Sequence, residues 1–142
     1  MLTGEELWRV FVDCYDIEVP EEAIQNELDY LTLQLKHNMQ YDRLSGGDLH
    51  LFPEQEIAAQ QEDLRRAALF EAKEPRVLKA LIEELELDAS TEELEEEAAA
   101  MAQRQGSTVD AIKQFFGEDL SLLKRDVVEQ KARDWVVSRL VS

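Results

Sequence analysis

Cations are scarce in this chain: 15 lysines and arginines stand against 32 acidic residues, for a formal net charge of −17. A surface so negative repels phosphate backbones and anionic lipid, which excludes nucleic acid and membrane as natural partners. The same self-repulsion keeps a protein with open apolar patches soluble. Cysteine occurs once, as Cys14, so no intrachain disulfide can form, and the chain suits a reducing compartment. Cys14 falls in an apolar stripe and is expected to be a buried, inert thiol. The first residues, Met1 to Glu6, lack the basic and apolar regions of a secretory leader. No apolar run approaches the roughly 18 residues that span a bilayer. The expected location is the cytoplasm.

The residues that build active sites are equally sparse. His37 and His50 are the two histidines, and neither belongs to an HExxH or another ligand-spaced cluster. Both read as ordinary polar positions. Gly46-Gly47 lacks the GxxxxGK pattern and reads as a turn rather than a phosphate loop. Carboxylates are so abundant that no chosen pair is informative. No metal, no cofactor and no enzymatic activity is expected.

What is abundant favours helix. Glutamate, leucine, alanine and glutamine lose little rotamer freedom there, and 5 glycines and 3 prolines provide the punctuation. No segment alternates with β-branched enrichment, so no sheet is expected. Thr3 and Glu6 have capping-box spacing at the start of a helix reaching Tyr15. Pro20 opens a second helix whose Ile24, Leu28, Leu31, Leu35 and Met39 share one face. That helix ends near Arg43, before Gly46. A long third helix starts near Glu54, and Pro75 is expected to kink or break it at 72–74. Ser90 and Glu93 form a second capping box, on a helix closed by Gly106. Ser107 and Asp110 cap a short helix through Phe116, and a last helix runs from about Glu118 to Val141. Trp135 is expected to lie in the core, where this helix packs back near Trp8 and Phe11. Residues 83–97 carry no cation. Their run of acids is either a solvated face at a helix corner or a docking site for a basic partner.

The apolar residues are the more informative class. Met39 and Tyr41 lie near the end of the second helix, and Leu49, Leu51 and Phe52 lie in the linker after it. Leu69, Phe70, Met101, Phe115 and Phe116 sit on otherwise polar helices. Adjacent helical residues point about 100° apart, so one of each neighbouring pair tends to leave the core face. Each residue alone reads as ordinary core, but together they exceed what paired helices can hide. Methionine and aromatic side chains suit adaptable binding because they repack around varied partners.

The order of these elements resembles the C-terminal domain of trigger factor, the bacterial ribosome-associated chaperone family. The resemblance is carried by Ile17-Glu18-Val19-Pro20-Glu21-Glu22 with Ile24, Glu27 and Leu28. It continues in Arg76 to Glu84 and in Leu87-Asp88-Ala89-Ser90-Thr91-Glu92-Glu93-Leu94. Ile112, Phe115, Phe116, Leu120, Leu123, Lys124, Val127 and Glu129 to Ala132 complete it. Pro75 departs from the family's unbroken helix, and the ribosome-binding and prolyl isomerase domains have no counterpart in this sequence.

The resemblance implies a single all-α domain of the trigger factor C-terminal/SurA peptide-binding type. It would be elongated, with a helical body and two helical-hairpin arms: 1–19 body helix, 20–87 first arm, 88–142 second arm and return helix. It further implies a stand-alone, ATP-independent holdase for unfolded or nascent polypeptides, without direct ribosome docking. In that arrangement Met101, Phe115 and Phe116 face a cradle opposite Leu69 and Phe70. The alternatives are a dedicated scaffold or adaptor, with homodimerisation closing the cradle, and an acidic mimic of nucleic acid.

Overall fold

The computed structural model describes residues 2–47 and 49–141. It contains seven α-helices: α1 (Gly4–Cys14), α2 (Glu21–Ser45), α3 (Pro53–Ala59), α4 (Gln61–Leu85), α5 (Thr91–Gln105), α6 (Val109–Phe116) and α7 (Ser121–Val141). Among the described residues there is no strand, and no helix is long and apolar enough to cross a membrane. The chain divides into two compact units, Val12–Val77 and Met1–Phe11 with Leu78–Ser142.

Helix ends follow local chemistry. Thr3 Oγ1 accepts from Glu6 N–H at 3.1 Å, and Glu6 Oε2 accepts from Thr3 N–H at 2.9 Å. Ser90 and Glu93 repeat that exchange, at 3.1 Å in both directions. Gly46 and Gly106 close α2 and α5 in the left-handed conformation that glycine adopts without a Cβ clash. Helix α4 ends the same way on a glutamate: Glu86 has φ +53°, and Leu87 N–H reaches back to Ile82 C=O at 3.0 Å. The cap of α6 is Thr108, whose Oγ1 accepts from Ala111 N–H at 3.2 Å, so the helix begins one residue later than a Ser107 cap would set it.

In Val12–Val77, Ile24 of α2 packs with Ala68 and Ala72 of α4, and Val19, Ala23, Leu28 and Leu31 flank them. Arg65 donates to Glu21 at 2.6 Å and Lys73 to the Asp13 carbonyl at 3.0 Å. Pro75 does not break α4, which runs as one helix from Gln61 to Leu85. The proline removes a ladder bond at a cost of about 3 kcal/mol. Burial of Val77, Leu78 and Leu81 just beyond it recovers about 1.5–3 kcal/mol each. The Arg76 guanidinium also donates to the Ala72 carbonyl at 2.7 Å, a side-chain bond one turn back across the proline. The break falls instead at Gln60, between α3 and α4, where the sequence carries no local stop signal.

In the other unit, Leu94, Ala98 and Ala102 of α5, Ile112 of α6, and Leu120 and Leu123 form one buried cluster. The acidic run belongs to this packing. Asp88 pairs with Lys124 at 3.0 Å, Glu93 with Lys131 at 2.9 Å, Glu95 with Lys113 at 2.9 Å and Glu97 with Arg104 at 3.2 Å. Lys124 and Lys131 hold the Asp88 and Glu93 carboxyls below their usual range. Helix α1 lies on α7: Trp8 is buried, stacks on Phe11 at 5.8 Å, and takes the Arg133 guanidinium over its ring at 5.8 Å. Trp135 is half-buried rather than core, with Arg139 over its ring at 4.2 Å. Cys14, the last residue of α1, is exposed rather than buried.

Candidate functional site

Helix α2 presents Lys36, Met39, Gln40 and Arg43 on one face, at spacings of three, one and three. After Gly46-Gly47 the chain turns, and Pro53 starts α3 at its first residue, where a missing N–H costs no bond. The linker between the helices is pinned by His50. Its Nε2 lies 2.8 Å from Asp42 Oδ2 on α2, and its Nδ1 lies 2.8 Å from Glu56 Oε2 on α3. A ring with a carboxylate on each nitrogen is served best when doubly protonated. The bond to Asp42, then that to Glu56, raises the His50 pKa above its ordinary value.

This clamp holds the linker's apolar side chains open. Leu49, Leu51 and Phe52 are 77%, 69% and 63% exposed. With Tyr41 and Leu44 they make 41–52 the richest stretch of exposed large apolar residues among those described. Two clefts share Leu49 and Leu51. One, of about 540 Å³, has Met39, Leu49, Leu51 and Ile57 as its apolar wall, with Lys36, Arg43, His50 and Glu54 also lining it. The other, of about 390 Å³, adds Phe52 and Ala59. A concave apolar surface with a few polar groups is the ordinary form of a binding site.

The structure redistributes the residues singled out from sequence. Met39, Leu49, Leu51 and Phe52 come together at this α2–α3 junction, and Tyr41 lies exposed outside both clefts. Met39 is buried, however, and contributes a wall rather than an open contact. Phe70 is also buried, because its neighbour Leu69 takes the outward position on α4. In the other unit Met101 and Phe116 pack against the α5–α6–α7 cluster, and Met101 also lines a groove of about 390 Å³ between α5 and α7. Phe115 is outward and exposed, with the ring of Phe116 edge-on at 5.0 Å. The roles of Lys36, Arg43, His50 and Ile57 went unread. The three-four-seven spacing from Lys36 to Arg43 was the available signal for the cations. The two acids flanking the turn around His50 were the signal for the clamp. Among the described residues no group of three or more histidine, cysteine or acidic side chains is placed to hold a metal ion.

Comparison with known proteins places this architecture. The family model described as the bacterial trigger factor protein C-terminus matches residues 3–138. Trigger factor of Anoxybacillus flavithermus is 28% identical over 121 residues, covering 85% of this chain and 28% of that protein. Trigger factor of Bacillus pumilus is 28% identical over 136 residues, covering 94% of this chain and 31% of that protein. The chain thus spans less than a third of the length of these curated relatives. A solved structure concerning domains of trigger factor from Thermotoga maritima aligns with a TM-score of 0.64 at 23% identity, covering 95% of this chain and 79% of that one. That likeness concerns the fold, and the match of the family model across nearly the whole sequence decides membership: the chain belongs to the trigger factor C-terminus family.

Proposed function

We propose that this chain is an ATP-independent holdase that binds apolar segments of unfolded or nascent polypeptides, with the α2–α3 junction as a principal contact. The observation that carries the reading is the open apolar stretch 41–52, held in place by the His50 clamp beside two clefts. Membership of the trigger factor C-terminus family supports it. The chemistry is binding alone, with no bond made or broken.

The magnitudes fit a reversible contact. Fully burying a leucine or phenylalanine side chain is worth about 1.5–3 kcal/mol, so covering the exposed two thirds of Leu49, Leu51 and Phe52 gives roughly 1–2 kcal/mol each. The total, about 3–6 kcal/mol, corresponds to roughly 6 mM to 40 μM, and the cost of association weakens a single contact to the millimolar range or beyond. Several such contacts along one unfolded chain combine through effective concentration, and each releases without nucleotide. Phe115 and Leu69 offer further exposed contacts.

The test is aggregation of a chemically denatured protein on dilution, followed by light scattering. Near-stoichiometric chain should suppress it, equally with and without ATP and magnesium. Undiminished scattering refutes the holdase. A chain that instead sediments as a tight dimer with 49–52 protected from exchange would support the adaptor reading.

A further inference from the structure

The polar side of the larger cleft narrows what it accepts. Val12–Val77 contains six lysines and arginines. Four are committed: Arg65 to Glu21, Arg66 to Asp63, Lys73 to the Asp13 carbonyl and Arg76 to the Ala72 carbonyl. Lys36 and Arg43 have no hydrogen-bond or ion-pair partner among the described residues, and both line the apolar cleft. The acids nearest that cleft are not free to answer them. Asp42 and Glu56 are turned onto His50, leaving Glu54 as the acid among the lining residues. In a chain of net charge −17, two uncommitted cations beside one apolar wall, with Asp42 and Glu56 met by His50, offset the local acids and leave the cleft without the excess negative charge of the chain as a whole.

We infer that this cleft selects apolar polypeptide segments that carry a carboxylate, an aspartate or glutamate next to aliphatic or aromatic residues. The inference rests on the holdase reading and names the class of client at the junction. Met39, Leu49, Leu51 and Ile57 take the apolar side chains, and Lys36 and Arg43, seven residues apart and so two turns along α2, meet the acid. Elsewhere the acidic surface repels such a segment; here it is attracted. Exposed charge pairs weaken as salt shortens the Debye length, so the preference is salt-sensitive while apolar contact is not.

The experiment uses three fluorescein-labelled peptides with one common leucine- and phenylalanine-containing core, flanked by glutamates, glutamines or lysines. Fluorescence anisotropy is measured with the full chain at low and high salt. The acidic peptide should bind roughly three- to tenfold more tightly than the glutamine peptide, the scale of two solvent-exposed ion pairs, and high salt should erase the difference. The paired substitution Lys36→Gln and Arg43→Gln should remove the preference, bringing the acidic peptide's affinity to that of the glutamine peptide on the same variant. Leu51→Ser should weaken all three peptides. Binding without acidic preference, or a preference surviving the paired substitution, overturns the inference and leaves the holdase reading standing. Failure of every peptide to bind overturns both. A dimer of the chain alone that dissociates in the paired variant would make a second copy the occupant and likewise overturn it.

Discussion

Replacing Leu51 and Phe52 with serine together should separate binding from folding. Both side chains are mostly exposed, at 69% and 63%, and neither belongs to a buried cluster. Exposed substitutions of this kind shift stability by about 0.5 kcal/mol or less each, so the urea midpoint should move little. Binding is another matter. If a client covers what is now open, each residue contributes roughly 1–2 kcal/mol, and losing both costs about 2–4 kcal/mol. At about 1.4 kcal/mol per tenfold, that is a loss of roughly 30- to 700-fold at this contact. The assay pairs a urea melt with suppression of light scattering on the same preparation. Phe70→Ser is the contrast: Phe70 is buried, and truncating a buried phenylalanine costs about 3–5 kcal/mol. That variant should fail in the melt before it fails in binding. Intact folding of the Leu51/Phe52 variant with undiminished suppression would refute the argument and move the client contact to Leu69 or Phe115. Unfolding of that variant would refute the structural placement of the linker.

Three further outcomes are expected. Glu86→Gly should stabilise the chain by about 0.5–1 kcal/mol in urea, because relief of a left-handed glutamate, about 1–2 kcal/mol, exceeds the added freedom of the unfolded chain; a lowered midpoint would contradict the strain. The His50 clamp has a raised pKa, so its contribution is complete below the ordinary value near 6.5 and is lost as pH rises through the raised folded value. Hydrogen exchange of 49–52, corrected for intrinsic rates, should therefore speed up above that pH and lose this dependence in His50→Gln, and protection that grows with pH would sink the clamp. Lys131→Met removes a half-buried donor that reaches the Asp88 carbonyl at 2.7 Å and Glu93 at 2.9 Å, and should lower stability by about 1 kcal/mol, whereas an unchanged melt would show that these bonds are not kept in solution.

Elements set by local chemistry were legible in the sequence. The two capping boxes and the glycine cap at Gly106 need residues within one turn of each other, and all three stand where the pattern puts them, whereas α2 runs two residues past Arg43 to its cap at Gly46. The α6 cap on Thr108 rather than Ser107 is a local departure, whereas the following have non-local causes. Pro75 lies within one helix because burial beyond it and the Arg76–Ala72 bond outweigh a local penalty. Cys14 is exposed because apolar periodicity does not register where a helix ends. Leu120, at φ +60° and 1% exposed, sits in a conformation that leucine avoids, because its side chain fills the α5–α6–α7 cluster. The last helix therefore starts at Ser121 rather than near Glu118.

The candidate site divides along the same line. Leu49, Leu51 and Phe52 are apolar residues in a turn, and a turn this short cannot hide them. Between the end of α2 and Pro53 the chain has residues 46–52, which at most about 3.3–3.6 Å apiece must cross from one helix to the other. His50 takes the inward position, committed to Asp42 and Glu56, and its neighbours Leu49 and Leu51 are left outward. Connectivity imposes the same choice on α6, where adjacent Phe115 and Phe116 diverge by about 100° and one ring reaches the core. Met39 and Phe70 lie on long helices whose faces the partner helix can cover, and there sequence position alone does not tell wall from open contact. The exposed group therefore contributes little to folding whatever its polarity, and the buried group contributes much. That asymmetry lets polar substitutions at Leu51 and Phe52 report on clients, and it makes the same substitutions at Met39 and Phe70 report on the fold.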